Sequence, residues 1–133
     1  MFYLTSQNVD WTTLQLPGAQ VKTYSIPSRS MTAWTSYSNG SQTFDLVAGR
    51  RYRVEARGAV PGTAQAEHIL LASGMVSGTL ASVTSLGGNV GWAGFLDFVP
   101  TTTGAQSLTL SNRASSNMTG TAQTITVMVT QVG

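Results

Sequence analysis

The side chains that could perform acid–base chemistry in this chain are few: one histidine, five carboxylates and one lysine. His68 directly follows Glu67, and neighbouring side chains of a strand point to opposite faces, so we do not expect these two to form a catalytic dyad. His68 also stands next to the apolar run Ile69, Leu70 and Leu71, a setting in which a lone histidine is usually structural. We therefore predict no catalytic residue.

The sequence also lacks motifs for a catalytic nucleophile, a metal site or a phosphate-binding loop. The segment Gly74-Met75-Val76-Ser77-Gly78 places its serine one position too late for a Gly-x-Ser-x-Gly elbow. One histidine without any cysteine makes no zinc-ligand set, and no Asp-rich loop matches a calcium site. The glycines of residues 87–91 lack the lysine and the strand–helix context of a phosphate loop. None of the carboxylates Asp10, Asp45, Glu55, Glu67 and Asp97 lies in a sequence context that suggests the paired acids of a glycoside hydrolase. We therefore predict a non-enzymatic protein without metal or cofactor.

Three arginines form the one cluster of charge in the sequence. Arg51, Arg53 and Arg57 fall on one face of a strand predicted over residues 50–57, and Tyr52 falls on the other face. A groove that follows a phosphate backbone would pair such cations with aromatic rings on the same face. We therefore expect these arginines at a contact between subunits or in solvent, and no binding of nucleic acid.

Tryptophans are the best candidates for stacking against a ligand such as a sugar ring. Trp34 lies close to Tyr37 and is predicted to be exposed, and Trp92 is the second candidate. For both, the competing interpretation is packing in a core or an interface, because tryptophan carries a large apolar area.

The elements that must position these residues are strands. Only 9% of the residues are charged, against about a quarter in ordinary domains, and threonine and serine take their place. Threonine is β-branched and suits a pleated, half-buried surface, which favours an all-β fold, an antiparallel β-sandwich or jelly-roll-like domain of about eight strands with little or no helix. Apolar and polar residues alternate most clearly in residues 124–130, 107–111 and 50–57. Further strands are predicted over residues 21–26, 33–37, 42–47, 67–72, 75–83 and 92–99.

Two segments allow more specific predictions of local structure. Asn39-Gly40 is a strong hairpin signal. Residues 64–71 could form a short helix by composition, but the apolar run bounded by glycine-rich segments favours a strand.

At 133 residues the chain is expected to form one domain. We assign residues 19–133 to the sandwich and residues 1–18 to an N-terminal segment that is either a first strand with a covering loop or an arm that docks onto a neighbouring subunit. This segment is rich in apolar and aromatic residues, and the predicted contacts are Phe2, Tyr3, Leu4, Trp11, Leu14 and Leu16. The first residues lack the basic and apolar regions of a signal peptide, so we expect synthesis in a cytoplasm and no membrane association.

The chain resembles small bacteriophage virion proteins. Its threonine- and serine-rich alternating strands, its lack of cysteine and the segments 46–54 and 98–110 are similar to strands of sandwich and jelly-roll modules in phage fibres and head decoration proteins. The resemblance extends over most of the chain but includes no signature motif, so no functional residue is transferred from it.

This resemblance implies one of two functions. Decoration, or cement, proteins are short, non-enzymatic and frequently trimeric, and they sit between capsid subunits. The length and the apolar N-terminal segment favour this function, with copies of the chain itself and a major capsid protein as partners and the virion as location. The alternative is a carbohydrate- or receptor-binding module of a tail fibre or tail tip, which would bind a glycan.

Overall fold

Stretches in which apolar and polar residues alternate form strands in the computed structural model of the chain. The structure describes residues 19–60, 65–87 and 90–132. The all-β prediction is confirmed, because these residues form ten strands and no helix. Eight strands have seven residues or more and two have three. In chain order they are β1 (Gln20–Ile26), β2 (Arg29–Met31), β3 (Tyr37–Leu46), β4 (Tyr52–Val60), β5 (Gln65–Gly74), β6 (Gly78–Leu86), β7 (Val90–Phe98), β8 (Gly104–Ala114), β9 (Met118–Gly120) and β10 (Gln123–Gln131).

The long strands form two four-stranded sheets that pack face to face. The front sheet has the order β1-β10-β4-β7 and the back sheet the order β3-β8-β5-β6, while β2 and β9 form a small pair of their own. Every pairing is antiparallel. The prediction of an antiparallel β-sandwich is therefore confirmed, and the preference for a strand after residue 64 is confirmed by β5.

The core lies between the sheets and is made by every second residue of each strand, as the period-two pattern requires. Strand β4 shows this directly, since Tyr52, Val54 and Ala56 are buried and Arg57 on the other face is exposed. The fully buried aliphatic and aromatic side chains of the two inner faces are Val54, Ile125, Val127 and Val129 from the front sheet and Phe44, Leu46, Leu70, Leu108 and Leu110 from the back sheet.

Hydrogen bonds from side chains join the two sheets along one side. The buried Tyr24 hydroxyl of β1 donates to the Leu108 carbonyl of β8 at 2.7 Å, and burial raises the pKa of Tyr24 to about 12. Between the edge strands β1 and β3, the Gln20 amide donates to the Asp45 carbonyl and accepts from the Asp45 N–H, both at 2.8 Å. Gln42 donates to the Thr23 carbonyl in the same seam. Backbone groups that would otherwise form an open sheet edge are thus partly occupied within the chain.

The opposite side is closed by direct backbone contact between β6 and β7. Gly94 of β7 faces inward opposite Ala56 of β4, and a Cβ at this position would overlap the Leu80 carbonyl of β6. A backbone can approach this closely only where the side chain is absent, so the position requires glycine.

The strand predicted over residues 33–37 is wrong. Trp34 adopts a φ of 60°, and this left-handed conformation interrupts the extended chain between β2 and β3. The turn is held by two backbone bonds, from the Trp34 N–H to the Ala114 carbonyl at 2.7 Å and from the Thr35 N–H to the Thr32 carbonyl at 3.2 Å.

The hairpin predicted at Asn39-Gly40 is also wrong, because both residues lie within β3. Gly40 has a φ of 92°, which here produces a shift of register against β8 between Ser38 and Ser41. The buried Asn39 amide donates to Asn112 Oδ1 at 3.0 Å. The left-handed glycine therefore bends a long strand and does not reverse the chain.

Replacing Gly94 with alanine should destabilise the fold, because the new methyl group meets backbone that cannot rotate away. We expect Gly94→Ala to lower the free energy of unfolding by about 2 kcal/mol, or Tm by roughly 5–10 °C. Gly91→Ala is the matched control on the same strand, since its Cβ would meet only the Gly58 carbonyl at an ordinary 3.7 Å. Thermal unfolding followed by circular dichroism checks both variants, and equal Tm values would contradict the close approach of β6 and β7.

Candidate functional site

His68 lies in the core and not in a cleft. Its side chain is 1% exposed, and neither ring nitrogen has a hydrogen-bond partner among the described residues. The Trp92 ring meets it edge-on at 6.5 Å between centroids, and the buried Trp92 Nε1 likewise has no hydrogen-bond partner in the described part of the chain. Burial lowers the pKa of His68, so the imidazole is neutral at pH 7. Glu67 is exposed on the opposite face, as the alternation predicts.

Carboxylates of the described residues do not converge on a common point. Asp97 accepts two hydrogen bonds from Arg53, at 2.7 and 3.1 Å, and this is the one ion pair that the described residues make. These bonds lower the pKa of Asp97 and raise the pKa of Arg53. Within the same part of the chain, no group of three or more histidines and acids is placed to hold a metal ion. Asp10 lies outside the described residues.

Arginines of the predicted interface lie on or beside the outer face of the front sheet. Arg53 and Arg57 point outward from β4, and exposed Arg51 comes just before it. The Arg53 guanidinium lies 4.2 Å from the centre of the Phe95 ring, which is a cation–π distance. Two shallow depressions of about 390 and 250 Å³ occupy this face, and both are lined by Glu55 and Arg57.

Trp34 is exposed, whereas Trp92 is not. The Trp34 side chain is 53% exposed and its ring centre lies 5.7 Å from the Arg113 guanidinium. The Trp34 turn is anchored by Asn117 Oδ1, which accepts from the Ala33 N–H at 2.7 Å. Trp92 is only 2% exposed, so the prediction that it could stack against a ligand is corrected: as an inward residue of β7 it contributes to the core.

A buried polar cluster near β2 is a feature that the sequence patterns do not reveal. Arg29 Nη2 donates to Asn39 Oδ1 at 2.6 Å and to Asn112 Oδ1 at 2.5 Å, and its guanidinium lies 5.0 Å from the Tyr37 ring centre. Burial lowers the pKa of Arg29, an effect that Tyr37 partly opposes. The cluster ties β2 to the sandwich. Its members come from β2, β3 and the distant strand β8, so the sequence patterns do not bring them together. Only Asn39 was singled out from the sequence, as part of a predicted turn.

The N-terminal contacts predicted at Phe2, Tyr3, Leu4, Trp11, Leu14 and Leu16 lie outside the described residues. Within the described residues, no helix has the length and apolar character needed to cross a membrane.

Solved structures with a similar fold include viral particle subunits. The chain of the IBDV viral particle matches with a TM-score of 0.60 and 13% identity, over 86% of this chain and 31% of that chain. The VP2 subviral particle of infectious bursal disease virus matches with a TM-score of 0.51 and 13% identity, over 84% of this chain and 33% of that chain. This chain therefore spans about a third of the length of those proteins.

At such identities the likeness concerns the fold alone. A xylanase 10B structure from Clostridium thermocellum, complexed with xylohexaose, matches 84% of this chain and 26% of that chain at 14% identity, but its TM-score of 0.43 supports no argument. No family model matches the chain, and no curated protein matches it either.

The buried His68 should make stability depend on pH. Its pKa in the folded chain lies below the ordinary value of 6.5, so as the pH falls below about 6.5 the unfolded chain takes up a proton that the folded chain does not. The free energy of unfolding should therefore decrease between pH 7.5 and 5.5, by at most about 1.4 kcal/mol per pH unit, and His68→Leu should flatten this decrease.

Urea unfolding at several pH values measures the effect. The control is Glu67→Gln, which removes the neighbouring exposed carboxylate and should leave the decrease unchanged. An identical pH dependence in wild type and His68→Leu would contradict a neutral, buried imidazole.

Proposed function

We propose that this chain is a structural protein of a virus particle, and within that class a capsid decoration protein that stabilises the shell by burying the interfaces between subunits. The observation that carries the proposal is the fold itself, a two-sheet sandwich that aligns over 86% of its length with a subunit of a viral particle at a TM-score of 0.60. The resemblance of its threonine-rich strands to phage decoration proteins supports the narrower assignment.

The chemistry of the surface is consistent with this function. An interface of hydroxyl groups and small apolar side chains excludes water without stripping it from charges, a step that costs several kcal/mol for each unpaired ion. On the outer face of the front sheet, β1 and β10 have this composition, because most of their outward residues are threonine or serine and none is charged, while the charges of the face lie on β4 and at the end of β7. Catalysis has no comparable support, because His68 is enclosed and the acids that the structure describes form no cluster with it.

The partners under this proposal are further copies of the chain and a major capsid protein, and the location is the virion. The apolar residues of segment 1–18 supply a docking arm, and the face that carries Arg51, Arg53 and Arg57 supplies a second contact. The trimeric state implied by the resemblance stays a prediction.

A carbohydrate-binding tail module is the alternative, and the exposed Trp34 favours it. An exposed indole beside Arg113 and the Asn117-anchored turn could stack against a sugar ring. Trp34→Gly is the suitable variant, because glycine removes the ring and still accepts the left-handed backbone at this position.

Binding of the full chain to purified capsid shells that lack it tests the proposal directly. We expect the wild type to saturate the shells at a fixed number of copies per shell, and Trp11→Ser with Leu14→Ser to weaken binding about tenfold or more, since central aromatic anchors dominate interface energies. Leu86→Ser is the control, because Leu86 is 80% exposed and is assigned no contact.

The same wild-type and Trp34→Gly proteins are applied to a glycan array. Absence of shell binding together with a glycan signal that Trp34→Gly abolishes would replace the decoration proposal by the alternative.

A further inference from the structure

The outer face of the front sheet is composed of two rows of side chains that complement each other. The strand register places Val21, Met128, Glu55 and Phe95 side by side across β1, β10, β4 and β7. Two residues along each strand, the next outward row is Thr23, Thr126, Arg57 and Ala93. The first row carries a negative charge and the second row a positive charge, and the uncharged side chains of the first row are larger than those of the second.

The first row exposes apolar surface to solvent. Phe95 is 55% exposed and Val21 is 47% exposed, and Met128 between them is half-buried. The two depressions on this face lie along the rows and are lined by members of both. Exposed apolar residues grouped on one sheet face are a feature of interaction surfaces.

Two charges at the centre of the face have no ion-pair partner among the described residues. Arg53 is engaged by Asp97 and by the Phe95 ring, but neither Glu55 nor Arg57 makes an ion pair within 4 Å. They stand two residues apart on one face of β4, at about 6–7 Å, and each projects toward whatever covers the sheet.

We infer that a second copy of this chain covers the face, related to the first by a two-fold axis that runs across the strands midway between the rows. Such an axis lays the first row of each copy over the second row of the other copy. The contact between Glu55 and Arg57 of the partner subunit therefore occurs at two equivalent places in the pair. The same operation lays Phe95 over the partner's Ala93, Met128 over the partner's Thr126 and Val21 over the partner's Thr23. At these three positions a larger side chain meets a smaller one, so the face is complementary to itself, as an isologous contact requires.

The remaining charges are consistent with this arrangement. The two-fold axis places Arg53 opposite the partner's Ala59 and Asp97 opposite the partner's Gly91. The ion pair between Arg53 and Asp97 therefore lies at the rim of the contact and meets no like charge. The pairing also covers apolar surface that would otherwise remain in water.

The size of the face sets the strength of the pair. Four strands about 4.8 Å apart and about 30 Å long give roughly 500 Å² per copy, below the roughly 800 Å² of a standard interface. We therefore expect a pair that forms and dissociates with concentration. The inference rests on the self-association in the proposed function, names the surface that makes it, and expects a two-fold pair in place of the trimer that the resemblance implies.

Charge reversal on the full chain, without capsid shells, tests the pairing by sedimentation equilibrium at 10–500 µM, a range chosen as about that of a weak complex. Glu55→Arg and Arg57→Glu should each raise the dissociation constant of the pair about tenfold or more, because each places two like charges face to face. The double variant Glu55→Arg/Arg57→Glu should restore it to about the wild-type value, because opposite charges meet again.

Glu67→Arg is the matched control: it makes the same change in net charge on the outer face of the back sheet and should leave the dissociation constant unchanged. Phe95→Ser should weaken the pair, whereas Leu86→Ser should not. All these side chains except the half-buried Glu55 are exposed, and unchanged circular dichroism confirms that each variant is folded.

A wild type that stays monomeric throughout the range, a trimer, or a double variant as weak as the single ones would overturn the inference. Because no shell is present in this experiment, none of these results contradicts the decoration proposal, which the shell-binding experiment tests separately. Failure to bind shells by a chain that pairs normally would contradict the decoration proposal and not the pairing.

Discussion

Two β-sheets that share one core constrain everything else in this molecule. Each strand can bury only every second side chain, so the apolar residues must occur at period two and the intervening residues must face outward. The inner faces meet this demand with aliphatic and aromatic side chains that are almost fully buried. Gly94 lets β7 approach β6 on one side, and the amide groups of Gln20 and Gln42 join β1 to β3 on the other.

This constraint explains why the described residues form no cluster of titratable side chains that could catalyse a reaction. A titratable group at an inward position must lose its charge, and His68 does so between two sheets that offer it no hydrogen bond among the described residues. An outward position on the open face of a sheet holds a charge in water but does not enclose a reacting molecule. Arg53 and Asp97 satisfy each other there, whereas Glu55 and Arg57 on the same face form no ion pair with any residue that the structure describes.

Much of the fold was predictable because period-two alternation is a local property of the sequence. The inward positions of β4, β8 and β10, and the opposite orientations of Glu67 and His68, follow from it directly. Failures occurred where a single residue adopts a left-handed backbone. Trp34 breaks a predicted strand and Gly40 bends one, and a lone sequence does not distinguish a turn from a bulge.

The candidate surface was only partly predictable, since strand register is a property of the folded sheet. The sequence placed Arg53 and Arg57 on one face, but not Phe95, Val21 and Met128 beside them. Trp92 was misjudged because a large aromatic residue suits a core as well as a binding site, and its burial is decided by its register opposite Gly58.

Hydroxyl-radical footprinting of the full chain, free at low concentration and in its assembled form, tests the central claim that this protein acts by covering surface with its front sheet. The account predicts that Phe95 and Met128 react several-fold more slowly in the assembled form, while Leu86 reacts equally in both. Equal reactivity of Phe95 and Met128 in the two forms, with protection confined to another face, would contradict it.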